Sequence, residues 1–158
     1  MLEHRLLNDG EAYNLWHKFA SEIGIKTLKE VYGEYWPRKP VLGEFVYQWL
    51  YRGKELIAWT SIREDQLEPV FWALLGVFPK YQNKGFARKV FDLTIEKGFD
   101  LFPRTEWVFV EISKKNPRFF EYMKRQNCRW IQVGDISIPD PGYEIFGLKR
   151  GMKEELNG

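Results

Sequence analysis

Nine consecutive residues, Val70 to Phe78, are apolar except for Gly76. A strand with no polar face has no side to turn toward water, so it belongs at the centre of a sheet with material packed on both faces. Gly76 within it marks either a bulge or a point where another group comes close to the backbone. Directly afterwards the hydrophobic period changes. From Lys84 to Phe102, Phe86 and Val90 with Ala87, Phe91, Ile95 and Phe99 form adjacent i,i+4 rows, opposed by a polar row of Arg88, Asp92, Glu96 and Asp100. This predicts an amphipathic helix ended by Pro103. The chain must therefore hang a helix from the end of a buried central strand.

The remaining segments supply partners for that pair. Leu2 to Leu7 reads as a short strand, and Asn8 or Asp9 can cap a helix from about Gly10 to Glu22. Its buried face is Ala12, Leu15, Trp16, Phe19 and Ile23. A second helical piece is expected from Thr27 to Tyr35, stopping before Pro37. Alternation from Phe45 to Tyr51, a turn at Arg52-Gly53-Lys54 and a return from Glu55 to Ile62 predict a β-hairpin. Trp107 to Ile112 is another strand. Asn116 to Gln126 is a helix with Pro117 in its first turn and Asn127 suited to a left-handed cap. Strands near Trp130 to Val133 and Tyr143 to Leu148 close the chain. The order β-α-α-β-β-β-α-β-α-β-β is an α+β pattern around a mixed sheet.

Composition narrows the class. At 158 residues, with 44% apolar and 17% aromatic content, the chain fits one domain, residues 1–158, with a substantial core. No apolar run reaches the roughly 18–20 residues of a membrane span, and the start lacks a signal-peptide pattern. The single cysteine, Cys128, cannot form an intrachain disulfide, and no Cys/His cluster suggests a metal, which fits a reducing cytoplasm. Charge is uneven: residues 80–129 carry 12 Lys/Arg against 6 Asp/Glu, a balance of +6, and the rest carry 12 against 16, a balance of −4. A basic half serves a polyphosphate ligand, a nucleic acid or simply a solvated surface.

The junction between strand and helix is where chemistry is concentrated. Gln82-x-x-Gly85-x-Ala87 puts small residues where backbone must come close to something, at a helix start whose unbonded amides and positive dipole end favour an anion. Lys80, Lys84, Arg88 and Lys89 add positive charge nearby. The alternative is a strand-to-helix turn that binds nothing. Neither a Walker phosphate loop nor a Gly-x-Gly-x-x-Gly dinucleotide pattern is present.

Val77-Phe78-Pro79, Tyr81 and the string Gln82-Asn83-Lys84-Gly85-Phe86-Ala87 resemble the acyl-CoA-binding motif of the GNAT (GCN5-related N-acetyltransferase) superfamily, a Val-x-Pro leading into Arg/Gln-x-x-Gly-x-Gly/Ala. Glu111 to Asn116 followed by a helix is similar to a second motif of that family, and the element order matches along nearly the whole chain. The resemblance implies the acyl-CoA N-acyltransferase fold, with a mixed, mostly antiparallel central sheet flanked by helices. It also implies acetyl-CoA as cosubstrate, with no metal, and direct acyl transfer to an amine in a ternary complex. By resemblance, Leu75 and Val77 pair through their backbone with the thioester carbonyl and the pantetheine arm. Gln82, Asn83, Lys84, Gly85, Phe86, Ala87 and Arg88 form the pyrophosphate loop. Asn116 and Phe119 touch the pantetheine, although Asn116 also reads as a plain helix cap and Phe119 as plain core.

The match breaks in one place. Much of the family has a Tyr seven residues after this Asn, which protonates the departing thiolate; here that position is Met123. Tyr122 lies one residue early, about 100° round a helix, and is either a displaced proton donor or a packed residue with its hydroxyl paired. A thiol with pKa ~8.5 leaves tolerably without a donor. Glu111 matches a position where some family members keep a general base acting through water; the alternative is a strand Glu paired to a cross-strand cation. His4 and His17 read as surface residues. The acceptor is a small-molecule or peptide amine facing Tyr13 to Pro40, where Trp16, Tyr32, Tyr35, Trp36, Glu30 and Glu34 are candidates, and a homodimer is compatible. The alternatives to an enzyme are an acyl-CoA sensor without turnover and, less favoured, a nucleic-acid-binding module; a membrane partner is not expected.

Overall fold

The computed structural model describes residues 1–125, 130–132 and 142–151. Its elements are β1 (Leu2–Leu7), α1 (Asp9–Ile23), α2 (Ile25–Tyr32), β2 (Glu44–Tyr51), β3 (Glu55–Glu64), β4 (Val70–Val77), α3 (Phe86–Leu101), β5 (Trp107–Ser113), α4 (Pro117–Arg125), β6 (Ile131–Gln132) and β7 (Tyr143–Lys149). A 3-10 turn at Pro79–Tyr81 joins β4 to α3. The strands form one sheet in the order β1-β2-β3-β4-β5-β7-β6. Neighbours are antiparallel except β4 and β5, because α3 carries the chain back across the sheet between them and a crossover makes a parallel pair. The α+β architecture with a mixed, mostly antiparallel sheet is the expected one.

Two apolar clusters sit on the two faces. On one, Ala12, Leu15, Trp16, Phe19 and Ala20 of α1 and Leu28 of α2 pack with Trp36 against Val46, Trp59 and Phe78. On the other, Val90, Phe91 and Ile95 of α3 and Met123 of α4 cover Phe71, Ala73, Val108, Val110, Phe146 and Leu148. Central β4 is thus covered on both sides, as an apolar strand requires. Helix and strand approach closely at Gly98, where an added Cβ would lie 2.3 Å from the Phe71 ring.

Boundaries moved where a local feature overrode the periodicity. Asn8 is the cap of α1, and it forms a full capping box: its Oδ1 accepts from Glu11 N at 2.8 Å while its own N donates to Glu11 Oε1 at 3.1 Å. Helix α2 ends at Tyr32 rather than Tyr35, since Gly33 has φ 118 and its N–H closes the last turn on Lys29 O at 3.0 Å. Strand β3 runs on to Glu64 because Phe71 of β4 is there to pair with it. Helix α3 starts at Phe86, after the left-handed Gly85. The roles expected of Asn127, Cys128 and Val133 lie outside the described residues.

Candidate active site

Strand β4 has a partner on both sides only at its start. Its parallel ladder with β5 covers Val70↔Trp107, Phe71↔Val108 and Trp72↔Phe109 and then stops. Beyond that point each strand keeps its outer partner, β4 with β3 as far as Val77↔Ala58 and β5 with β7 as far as Ser113↔Tyr143. The two strands therefore part, leaving a gap in the middle of the sheet. Gly76 does not bulge, because the β3 register passes through Trp59↔Gly76 without a shift. It is instead a close approach: a Cβ at this position would lie 2.3 Å from the Trp59 indole nitrogen.

The polar groups along this open edge are arranged in one sense. In a strand, alternate residues direct both N–H and C=O to the same side. Phe78 N donates back to Ile57 O of β3 at 2.9 Å, so Leu75 and Val77 face the gap. Their carbonyls are engaged by side chains: Leu75 O accepts from the Tyr32 hydroxyl at 2.6 Å, and Val77 O accepts from Gln82 Nε2 at 3.0 Å. With both acceptors occupied and no ladder partner, the edge presents the Leu75 and Val77 N–H groups as donors. Such an edge suits an extended chain that carries carbonyls.

A cavity of about 90 Å³ fills the gap, lined among others by Tyr32, Leu75, Glu111, Asn116, Phe119 and Tyr143. Helix α2 spans it. Tyr32 holds the β4 lip, and Glu30 O accepts from Ser113 Oγ of β5 at 3.1 Å and, at the longer distance of 3.5 Å, from the Tyr143 hydroxyl of β7. The Tyr32 hydroxyl is buried, which pushes its pKa up and keeps it protonated. Asn116 caps α4 through its backbone, accepting from Phe120 N at 3.0 Å. Asn116 also lines the cavity.

On the α3 side, the chain between strand and helix folds into two left-handed residues, Asn83 with φ 64 and Gly85 with φ 83. Alternating backbone handedness turns successive N–H groups to one concave side. Helix α3 has no side-chain cap, so its first-turn amides are not met by its own cap residue. Nothing lies within 4 Å of a Cβ built on Gly85, and Lys80, Lys84, Arg88 and Lys89 are exposed around it.

On the opposite face, a wider cleft of about 470 Å³ includes Arg38, Glu44, Ser61, Arg63, Trp72 and Glu111 in its walls. Glu111 borders both openings. Its register partner on β7 is Ile145. Arg38 is clamped to Glu44 at 2.7 and 2.9 Å and lies over the Trp36 and Trp16 rings. Burial raises the Glu44 pKa, but hydrogen bonds from Arg38 and Ser61 outweigh it and leave the group below the ordinary carboxylate range. Asp65 is also lowered, chiefly by the Leu67 N–H.

Several sequence candidates are brought together and others are not. Leu75, Glu111, Asn116 and Phe119 meet at the gap, whereas Asn83 to Gly85 form the turn before α3 and Phe86 to Arg88 its first residues, none of them in the cavity lining. Tyr122 is not in the cavity lining; it stacks on Phe119 at 5.8 Å with rings 14° apart. Met123 is fully buried against the sheet. Trp16 and Trp36 are core, and Tyr35 is 89% exposed. His4 and His17 are exposed, as expected. Tyr143 and the Arg38–Glu44 pair were not singled out: Tyr143 looks like any strand aromatic, and only the docking of α2 brings it to the gap.

No family model matches this sequence, and no curated protein does. Solved structures do match. The dodecameric spermidine N-acetyltransferase from Vibrio cholerae in an intermediate state gives a TM-score of 0.71 at 14% identity, covering 99% of this chain and 98% of that one. The spermidine/spermine N-acetyltransferase from the same organism in complex with manganese ions gives 0.69 at 14%, over 99% and 97%. A chimera of the Vibrio enzyme with hSSAT gives 0.69 at 14%, over 99% of each. At such identities the shared property is the fold.

Proposed function

We propose that this chain, which has the GNAT acyltransferase fold, acts as a single domain that transfers an acetyl group from acetyl-CoA to an amine in a ternary complex. The observation that carries the reading is the donor-only edge at Leu75 and Val77, in the strand that runs through a short turn into the uncapped start of α3. The chemistry asks for those parts: N–H groups for the carbonyls of a thioester and its pantetheine arm, and converging amides with cations for a pyrophosphate. Asn83, Lys84, Gly85, Phe86, Ala87 and Arg88 would hold the pyrophosphate. Gln82 would act indirectly by occupying Val77 O. Asn116 and Phe119 would flank the arm.

The acceptor would enter from the wider cleft, and Glu111 is where that cleft meets the gap. An amine must lose a proton to form an amide, and a carboxylate acting through water accepts it. The solved structures named above are spermidine N-acetyltransferases, which makes polyamines the first acceptors to screen. Among the described residues no helix is long and apolar enough to cross a membrane, and no group of three His, Cys, Asp or Glu side chains is placed to hold a metal.

Calorimetric titration with acetyl-CoA tests the binding half, and release of CoA thiol with an amine panel tests transfer. Gly85→Asp is expected to abolish acetyl-CoA binding by placing a carboxylate at the start of α3, where the pyrophosphate would sit. The fold should persist, since the site is open and the left-handed backbone costs about 1–2 kcal/mol. A titration showing no binding at millimolar acetyl-CoA would reject the reading. Binding without release of CoA would favour a sensor.

A further inference from the structure

The reading above leaves the departing sulfur without the hydroxyl that the α4 position would have supplied, because Met123 is fully buried and Tyr122 does not line the cavity. We infer that Tyr32 of α2 supplies it, its hydroxyl acting as the hydrogen-bond donor to the CoA sulfur as the carbon–sulfur bond breaks. This rests on the proposed transferase function and adds a catalytic residue to it.

The placement follows from the Leu75 backbone. Its N–H and C=O face the gap together, and the Tyr32 Oη lies 2.6 Å from that carbonyl oxygen. A thioester carbonyl accepting from the Leu75 N–H is therefore a neighbour of the Tyr32 hydroxyl within the same cavity. The ring is fixed by Phe19 at 5.9 Å, Trp36 at 5.3 Å and Trp59 at 5.5 Å, so the hydroxyl is delivered from a rigid aromatic wall. Its donor role toward Leu75 O is already a hydrogen bond that can turn to a better acceptor, and a sulfur gaining negative charge is one.

The neutral amine nitrogen donates its lone pair to the thioester carbon, the C–S bond breaks, and its electron pair stays on sulfur. Tyr32 donates a hydrogen bond to that thiolate without giving up its proton, since burial makes the phenol a weaker acid than a thiol. The proton lost from nitrogen passes to Glu111 through water, and CoA takes up a proton from solvent as it leaves. No tyrosinate forms.

Tyr32→Phe keeps the ring contacts and removes only the donor. The test is the ultraviolet absorbance of the thiolate, followed against pH for free CoA bound to the purified protein. Glu111 borders the same cavity and opposes thiolate formation, but it is constant between the two proteins. In the wild type the bound thiol should titrate below the usual value near 8.5, and in Tyr32→Phe it should rise by about one unit. In parallel, kcat for acetyl transfer should fall on the order of 100-fold, with the acetyl-CoA thermal shift and KM little changed. An unchanged thiol pKa in Tyr32→Phe, with CoA still bound, overturns the inference while leaving the transferase reading intact. The same loss produced by Tyr122→Phe instead would return the role to α4 and also overturn it. Failure of the wild type to bind CoA at all would instead reject the transferase reading itself.

Discussion

The two ends of β4 share a strand, a register with β3 and a strongly apolar sequence, yet they do opposite things. At Val70–Trp72 the strand is laddered on both sides, and Phe71 is fully buried between Phe99 and Phe102. At Leu75–Val77 the β5 side is open, and side chains from other elements, Tyr32 and Gln82, cover the carbonyls. The closed end holds the two halves of the sheet together. The open end gives up ladder bonds to gain a place where another molecule can pair. A gap in a sheet tolerates unpaired donors only when the strands on either side are secured elsewhere.

Weakening the closed end should have the largest effect. Phe71→Ala removes a fully buried ring at the seam, and about 3–5 kcal/mol of stability should be lost in a denaturant titration. A loss under 1 kcal/mol would mean that the ladder at Val70–Trp72 does not hold the halves together.

The Glu44–Arg38 pair fastens the loop after α2 beside this end, across β3 from Trp72. The folded Glu44 pKa lies below its unfolded value, so its contribution is fully present above the ordinary carboxylate pKa and is lost as pH falls through the folded one. Stability measured by thermal melting should therefore drop as pH is lowered below about 4.5, and Glu44→Gln should flatten that slope. Glu44→Ala leaves Arg38 without its carboxylate and should cost about 3 kcal/mol at neutral pH. An unchanged acid slope in Glu44→Gln would show that other carboxylates control it.

A smaller effect sharpens the contrast at the open end. Gly76→Ala drives a methyl into the Trp59 indole, and overpacking of this kind costs about 1–3 kcal/mol. Because Trp59 also carries Tyr32, acetyl-CoA affinity should weaken together with melting temperature. Loss of stability with unchanged affinity would separate the aromatic wall from the site.

Much of this was legible in the sequence, for physical reasons that also explain what was not. Apolarity from Val70 to Phe78 demanded a central strand, and the i,i+4 rows after Gly85 demanded a helix. Both are local signals. The GNAT-like motif then indicated where the edge and the turn should lie. The gap itself was not readable, because where β4 loses β5 depends on how two separate strands diverge. Nothing local to Tyr32 tells it apart from Tyr35, three residues on; one reaches Leu75 O and the other is solvent-exposed because Gly33 ends α2 between them. Position 123 was read as the family's donor position occupied by Met, and its full burial shows why a packing residue suits this chain there.

Amide hydrogen exchange by NMR, residue by residue along β4, addresses the central claim most directly. In the free protein the N–H groups of Leu75 and Val77 should exchange much faster than those of Leu74 and Gly76, which face β3, and saturating acetyl-CoA should slow Leu75 and Val77 selectively. Equal protection of all four without ligand, or no slowing at Leu75 and Val77 with it, would contradict the account.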